Sequence, residues 1–253
     1  MKSNVYNLEG KVKKEIELPE VFSTVPRADL IRKAFRAISL SLRQPYGASP
    51  LAGTRRVGHN SGPGRGAARI PRATSGSNNA VLLASFVGGR SAHAPRTSKI
   101  LHKGINEKER KLARSGAIAM TTSLESVQAR GHRVPEGATL PIIVENKLEE
   151  IRKTKEAREF LETIGLFDDV MRSKEGTKVR AGRGKMRGRR YKQPKSLLIV
   201  GTSKENLRAF SSLPGVDVAT PNSLSIRKLA PGGVGGRLTV FTESAIESMR
   251  SGQ

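Results

Sequence analysis

The chain has 253 residues, with 46 Lys and Arg against 22 Asp and Glu, so its formal net charge is +24. Cys is absent, which excludes a disulfide framework and a thiolate zinc site. No apolar run approaches the roughly 20 residues that a bilayer span requires, and the N-terminus lacks the apolar core of a signal peptide. We therefore expect a cytoplasmic protein with an anionic partner and no membrane partner.

The excess positive charge is concentrated in two segments. Residues 30–106 hold 13 basic side chains and residues 176–204 hold 10, and neither range contains an acidic residue. The rest of the chain is balanced to within one charge. Dense like charge destabilises a free compact chain, but it becomes favourable when each cation meets a phosphate and releases counterions. The sequence thus predicts a nearly neutral body that carries two segments binding nucleic acid.

The first elements are two short strands, at 5–7 and 12–18, and a helix from about Arg27 to Arg43. The apolar face of this helix is predicted to contain Ile31, Ala34, Phe35, Ile38 and Leu42. A second helix begins at Asn106 with a capping box, because Glu109 lies three residues further on. Its apolar side is predicted to contain Leu112, Ala113, Ala117 and Met120, and further turns run to Arg130.

Between these helices lies a segment, residues 45–104, that we call the arm. Gly and Pro recur throughout it, nine Arg and Lys are spread between them, and neither a helix nor a strand is predicted. An irregular loop of this length is uncommon inside a compact domain unless it is disordered or functional. The varied apolar stretch 80–87 favours a loop that becomes ordered on a partner, and we expect this stretch to pack where the arm returns.

The second half of the chain alternates strands and helices. A strand is expected at 140–144, a helical stretch interrupted near Thr154 at 147–164, and a short helix at 166–171. Strands at 196–200, 216–219 and 238–242 alternate with helices at 204–210, 223–229 and 244–249, the first of them capped by Ser203. Short apolar strands alternating with helices indicate a mostly parallel sheet covered on both faces.

The predicted fold class is therefore α/β. It is a three-layer domain with a central, mostly parallel sheet covered by helices, plus a long irregular extended loop. Residues 1–44 and 105–253 are expected to form one globular domain, with the arm inserted in it. Residues 173–195 are expected to form a second basic RNA-binding segment within that domain.

Patterns typical of catalysis are weak throughout. The His residues at 59, 93, 102 and 132 are never three or four apart, so no metal site is expected. The Gly182-x-Gly184 run resembles a dinucleotide-binding loop, but it precedes a strand instead of following one. The Gly201 turn lacks the spacing of a Walker phosphate-binding loop. Ser225-x-x-Lys228 matches a serine-lysine nucleophile motif at only two residue types. The acidic pairs Glu149–Glu150 and Asp168–Asp169 are predicted to lie on solvated helix faces. We expect no catalytic residue, no cofactor and no small-molecule substrate.

The expected partner is RNA. The sequence contains no helix-turn-helix, zinc-finger or basic-zipper pattern, and long irregular arms suit a folded polyanion. The arm prefers Arg to Lys, which favours bidentate phosphate contacts, and Tyr191 is placed to stack on a base. The candidate binding residues are Arg43, Arg55, Arg56, Arg65, Arg69, Arg72, Arg90, His93, Arg96, Lys99, Lys103, Lys178, Arg180, Arg183, Lys185, Arg187, Arg189, Arg190, Tyr191, Lys192 and Lys195.

Three stretches resemble signatures of the large-subunit ribosomal protein L-four family in its archaeal and eukaryotic form. They are GPGRGAARIPR at 62–72, GGRSAHAP at 88–95 leading into INEKER at 105–110, and RAGRGKMRGRR at 180–190. They occur in the family's order, and the similarity covers essentially the whole chain. The absence of the long C-terminal tail of eukaryotic members predicts the archaeal type.

The resemblance implies a structural ribosomal protein that binds large-subunit rRNA early in assembly. It also implies that the arm reaches the wall of the nascent-peptide exit tunnel and forms a constriction there with the L twenty-two family. Expected partners are therefore the rRNA, neighbouring large-subunit proteins and the nascent peptide in transit. The tunnel-wall candidates are Arg65, Gly66, Ala67, Ala68, Arg69, Arg72, Thr74, Ser75, Gly76 and Ser77.

Two other functions remain open from the sequence. One is an RNA-modifying enzyme with an α/β body and RNA-docking arms, which would need a cofactor loop at the carboxyl end of a strand. The turns at Gly201 and at Thr220-Pro221 do not offer such a loop. The other is a protein that represses its own messenger RNA, as bacterial relatives in the family do.

Overall fold

A computed structural model describes residues 1–74, 78–135 and 137–251 of the chain. In chain order, its strands and helices are β1 (Lys2–Tyr6), β2 (Val12–Glu17), α1 (Ala28–Ser41), β3 (Gly58–Asn60), β4 (Pro71–Ala73), α2 (Glu107–Ala119), α3 (Leu124–Ala129), β5 (Ile142–Val144), α4 (Thr154–Thr163), α5 (Phe167–Glu175), β6 (Lys178–Val179), β7 (Tyr191–Lys192), β8 (Leu198–Val200), α6 (Arg208–Ser211), β9 (Asp217–Ala219), α7 (Ile226–Leu229), β10 (Thr239–Thr242) and α8 (Glu243–Ser251). Short 3₁₀ helices occupy Glu20–Ser23, Asn146–Glu150, Arg183–Arg187 and Pro231–Gly233.

The central sheet has six strands in the order β2-β1-β5-β10-β8-β9. Only the β1–β2 pair is antiparallel among these described strands, and the other neighbours run parallel. At the centre of the sheet, Val240 of β10 lies opposite Ile142 of β5 on one side and Ile199 of β8 on the other. The continuous apolar runs of these strands arise because a parallel sheet is buried on both faces.

Two apolar cores lie on the two faces of this sheet. One contains Leu198, Val200 and Phe241 with side chains from α1, α2, α7 and α8, and the other contains Ile199 and Val240 with side chains from α3, α4, α5 and α6. Successive strand residues point to opposite faces, which is why Leu198 and Ile199 belong to different cores. The three layers confirm the predicted α/β class.

The chain divides into two compact units. One contains Met1–Ser39 together with the chain from Gly104 onward, and the other is Leu40–Lys103. The described residues of both apolar cores come from the first unit alone. Within the second unit, β3 and β4 pair antiparallel, so the prediction that residues 45–104 contain no strand is wrong in this detail. Both strands are only three residues long and carry mostly polar residues, which gives no readable period.

Several helix details differ from the sequence predictions. Leu42 and Leu112 were expected on apolar faces, but they are 62% and 51% exposed. Asn106 precedes α2 without a side-chain capping bond, and Glu109 instead forms an ion pair with Lys33 at 2.7 Å. The helix expected at 204–210 begins only at Arg208, since Ser203 Oγ accepts from Glu205 N in a turn.

Candidate nucleic-acid interface

The candidate residues of the arm are mostly exposed. This holds for Arg43, Arg55, Arg56, Arg65, Arg69, Arg90, His93, Arg96, Lys99 and Lys103. The second unit has no acidic residue, and within residues 1–74, 78–135 and 137–251 none of these side chains forms an ion pair. Their charge is therefore available to an anionic partner.

Arg72 is the exception among the arm cations. It is half-buried in β4, where its Nη1 donates to the carbonyl of Asn78 over 2.8 Å. Its Nε is buried and has no hydrogen-bond partner in the described part of the chain. Val81, 4% exposed, packs beside the same pair of strands, and a Cβ on Gly58 would collide with it. Arg72 thus stabilises the local fold of the arm, a role that the sequence did not indicate.

The tunnel-wall candidates fall into three groups. Arg65, Gly66, Ala67, Ala68, Arg69 and Thr74 are exposed, and Arg72 is half-buried. Gly62, Gly64 and Gly66 have φ between 61° and 82°, so the turn before these residues requires the left-handed region. Ser75, Gly76 and Ser77 lie outside the described residues.

The second basic segment forms a hairpin, residues 178–192, that we call the basic hairpin. Strands β6 and β7 pair with Val179 opposite Tyr191, and Arg180 N donates to Arg190 O over 2.7 Å. The connection contains the 3₁₀ turn Arg183–Arg187 and closes at Gly188, whose φ of 73° is left-handed. The glycines that resembled a dinucleotide loop therefore shape a hairpin turn.

One cation of the basic hairpin is used internally. The Arg180 guanidinium donates from Nε to Arg189 O over 2.9 Å and from Nη2 to Tyr191 O over 3.3 Å. It is half-buried, whereas Lys178, Arg183, Lys185, Arg187, Arg189, Arg190 and Lys192 are exposed. Arg180 therefore cross-links the two strands, and the remaining cations project from a structured support.

Apolar surface is exposed between these cations. Tyr191 is 58% exposed and Met186 is 81% exposed. The Arg190 guanidinium lies 5.6 Å from the centre of the Tyr191 ring, within cation–π range. Exposed rings and guanidinium planes between cations are the groups on which unpaired RNA bases stack.

The chain that follows the basic hairpin is bonded to α5. Ser173 Oγ, in α5, donates to Pro194 O over 2.7 Å, and Arg172 Nη2 donates to Lys195 O over 2.9 Å. Ser196 Oγ, which follows the hairpin, donates to Asp169 Oδ2 over 2.8 Å. Both chain ends of the hairpin are thus held by α5, so its orientation is set by the body.

Asp169 is the centre of this anchor. It is fully buried and also accepts from His132 Nδ1 at 3.0 Å, Arg133 N at 3.1 Å and Arg172 Nε at 2.8 Å. Burial alone would raise the pKa of Asp169, but the hydrogen bonds from His132 and Arg172 outweigh it and hold the pKa well below its ordinary value. The prediction of a solvated face for Asp168–Asp169 is wrong at Asp169.

His132 completes the anchor in its neutral form. Burial lowers its pKa below the ordinary value, against the opposing attraction of Asp169. Its Nε2 is buried and finds no hydrogen-bond partner among the described residues. A proton on Nε2 would therefore be a buried donor without an acceptor among the described residues.

Lys195 differs from the free cations because it forms an ion pair within the body. Its Nζ pairs with Asp217 Oδ1 at 3.0 Å, and Arg237 Nη1 contacts Asp217 Oδ2 at 2.7 Å. Arg237 is fully buried and also donates to the carbonyls of Ser196, Leu197, Gly215 and Lys228. Burial raises the pKa of Asp217, but the two cations outweigh it and lower the pKa. Sequence analysis missed Arg237, although an Arg directly before a buried strand was a readable signal.

The Glu149 side chain lies at the carboxyl ends of β8 and β10. Its Oε1 accepts from Thr202 N at 2.8 Å and from Thr242 Oγ1 at 3.0 Å, and a Cβ on Gly201 would lie 2.8 Å from it. Burial alone would raise the pKa of Glu149. The hydrogen bonds from Thr202 and Thr242 outweigh burial, so the pKa of Glu149 is lowered. Glu149 is therefore not on a solvated face as predicted. It occupies the crevice where α/β enzymes bind ligands.

Other features that bear on chemistry are few. In the part of the chain that the structure describes, no cluster of three or more His, Asp or Glu is arranged to hold a metal ion. Lys228 of the Ser225-x-x-Lys228 pattern directs its Nζ to the Val218 carbonyl. None of the described helices is long and apolar enough to cross a membrane.

Comparison with known proteins gives one consistent family. Residues 16–252 match the model of the ribosomal protein L4/L1 family. The chain is 62% identical over 246 residues to the large ribosomal subunit protein uL4 of Thermoplasma acidophilum, covering 97% of this chain and 96% of that protein. It is 63% identical over 246 residues to the protein of the same name from Thermoplasma volcanium, with the same coverage, and 50% identical over 251 residues to that of Methanocaldococcus jannaschii, covering 99% and 98%.

Proposed function

Because this chain belongs to the ribosomal protein L4/L1 family, we propose that it is a structural constituent of the large ribosomal subunit in the cytoplasm that binds large-subunit rRNA. The protein acts by binding alone. Its partners are the rRNA and neighbouring ribosomal proteins.

One observation carries the proposal: the cations are segregated on exposed surfaces that have no acid. The second unit contains 10 Arg and Lys without an acidic residue, and the range 178–195 contains a further nine. Because nearly all of these side chains are exposed, the cost of their mutual repulsion is removed only when phosphates lie among them. The exposed Tyr191 ring and the guanidinium groups add stacking surfaces for unpaired bases.

We infer a division of labour from the resemblance of the sequence motifs to the family and from the distribution of charge. Residues 1–44 and 105–253 form the body, residues 173–195 bind rRNA from the body, and the arm runs into the subunit. The arm's tip, around residues 65–77, forms part of the exit-tunnel wall and its constriction with the L twenty-two family, beside the nascent peptide. Small and polar side chains such as Ala67, Ala68 and Thr74 suit a wall that does not retain the passing peptide. Early binding to the rRNA supports assembly of the subunit.

The competing enzyme function is disfavoured by Glu149. A cofactor at the carboxyl ends of β8 and β10 would have to displace a carboxylate that already holds Thr202 and Thr242. The Gly201 turn lies against the same carboxylate, because a Cβ added at Gly201 would lie 2.8 Å from Glu149 Oε1. A cofactor phosphate at this turn would also lie beside the Glu149 carboxylate, so that two anions would be adjacent.

The proposal is tested by salt-dependent binding to archaeal large-subunit rRNA. We expect the logarithm of the association constant to fall steeply and linearly with the logarithm of the salt concentration, because each phosphate contact releases counterions. In extracts, the protein should sediment with the large subunit on sucrose gradients in low and in high salt. A protein that sediments free in low salt would contradict the proposal.

A further inference from the structure

A hollow open to solvent lies within the arm, between residues 48–53 and 88–96. Its volume is about 530 Å³. At one end Ala48 N donates to Pro95 O over 3.2 Å, and a Cβ on Gly47 would collide with the same carbonyl. At the other end a Cβ on Gly53 would lie 2.5 Å from the backbone of Gly89. The two chain segments therefore approach each other closely at both ends, with one hydrogen bond at the first, and leave a space between them.

The wall of the hollow combines small side chains with planar cations. Its lining includes Ala48, Ala52, Ser91, Ala92 and Ala94, which leave backbone groups accessible. Arg90, His93 and Arg96 complete it, and no carboxylate is present. Within the described ranges, the backbone N–H groups of residues 91–94 have no hydrogen-bond partner in the chain. The wall thus offers planar groups, free donors and positive charge.

We infer that this hollow receives one unstacked nucleotide of the bound rRNA. The base lies between residues 48–52 and 91–94, and its phosphate lies against Arg90 or Arg96. This inference rests on the proposed rRNA binding and adds to it a defined site for a single base. The volume falls within the range of about 300–1,000 Å³ that is usual for small-ligand sites.

The chemistry of the wall selects a nucleotide over a protein side chain. Unpaired RNA bases are recognised by stacking on guanidinium and imidazole planes and by hydrogen bonds to their edges. A nucleotide also carries a phosphate, which would offset part of the positive charge of Arg90 and Arg96. An apolar protein side chain would leave those groups and the free N–H donors without partners.

The test fills the hollow without changing its charge. Ala92→Phe, on one wall, and Ala48→Phe, on the other, are compared with Ala84→Phe, an exposed position of the arm outside the hollow. The full-length variants are bound to archaeal large-subunit rRNA. Binding is measured by filter retention, and the bases are probed with dimethyl sulfate and carbodiimide. Photocrosslinking followed by mass spectrometry identifies the peptides joined to nucleotides.

We expect both hollow-filling variants to weaken rRNA binding by about tenfold, the contribution of one stacked base. They should expose one nucleotide that the unmodified protein protects, and a crosslink within residues 88–96 should be lost. Ala84→Phe should leave all three readouts unchanged. Circular dichroism checks that each variant retains the helical body.

Other results overturn the inference in distinguishable ways. If the unmodified protein does not bind rRNA, the proposed function itself fails. If rRNA binds but the hollow-filling variants behave like Ala84→Phe, only the nucleotide site is wrong. If residues 88–96 become protected by other large-subunit proteins and not by rRNA alone, the occupant is a protein side chain and the inference is wrong.

Discussion

At the residue scale, the orientation of the basic hairpin depends on a few buried polar side chains. Asp169 joins α5 to the strand that follows the hairpin, through Arg172 and Ser196. Each of its oxygens has at least two donors, so the carboxylate is satisfied although it is fully buried. A buried charge of this kind is tolerated only when every partner remains in place.

Replacing Asp169 with Asn should therefore destabilise the body strongly. The variant leaves Arg172 without its carboxylate, and breaking a buried ion pair typically costs about 3–5 kcal/mol of unfolding free energy. The matched control is Asp168→Asn, because Asp168 is the neighbouring carboxylate and is exposed. We expect the control to change the unfolding free energy by less than about 0.5 kcal/mol. Urea denaturation of both variants measures the difference, and equal losses would contradict the anchoring role.

His132 should make the stability depend on pH. Its folded pKa lies below its ordinary value of 6.5, so the unfolded chain binds the proton more readily than the folded one. Stability should accordingly be complete above pH 6.5 and fall as the pH decreases below it. His132→Asn keeps a donor near Asp169 without titrating, and it should flatten the fall between pH 7 and 5. His102→Asn, at an exposed position, should retain the slope of the unmodified chain. Urea denaturation at both pH values provides the comparison.

At the scale of the element, the basic hairpin should bind phosphates through individual exposed cations. Lys185 projects from its turn without an ion pair in the described chain, whereas Lys155 is an equally exposed lysine of α4 that lies 3.9 Å from Glu159. Lys185→Ala should reduce the salt slope of rRNA binding by about one, the effect of one lost phosphate contact. Lys155→Ala should leave it unchanged. Filter binding at several salt concentrations measures both slopes, and identical slopes would remove the hairpin from the interface.

Elements with a strong apolar pattern could be predicted, and those without one could not. The runs at 196–200 and 238–242 are continuous because β8 and β10 are buried on both faces, and the sequence located them within two residues. The pairs β3–β4 and β6–β7 are short and mostly polar, so no period distinguishes them from loop. The bonds of Asp169 to residues 27 and 37 positions away, and that of Glu149 to Thr202, depend on the assembled sheet. No local pattern indicates such contacts.

The same distinction applies to the candidate interface. Its cations could be identified from the sequence because a segment without any acid is conspicuous in composition alone. The sequence could not show which of these cations bond within the protein itself. Arg72, Arg180 and Lys195 differ from their neighbours only in their partners within the fold. We expect these three to contribute less to rRNA binding than the exposed cations beside them.

At the scale of the whole molecule, the part of the chain that supplies the apolar cores differs from the part that is expected to extend into the subunit. The buried side chains of both apolar cores come from outside residues 40–103, and within the described part of the arm the one buried apolar side chain is Val81, beside β3 and β4. Hydrophobic burial is the main favourable term in folding, so the body should not need the arm in order to fold.

Replacing residues 60–80 by a short Gly-Ser linker should therefore leave the body folded. We expect the thermal unfolding midpoint of the variant to stay within about 4 °C of that of the full chain, which corresponds to less than about 1 kcal/mol for a domain of this size. Salt-dependent rRNA binding should persist through the basic hairpin, because the hairpin is anchored by Asp169 and not by the arm. Subunits containing the variant should show an altered exit tunnel when a nascent peptide is crosslinked within it. A body that no longer unfolds cooperatively would refute the division into body and arm, whereas an unchanged tunnel would refute only the position proposed for the arm's tip.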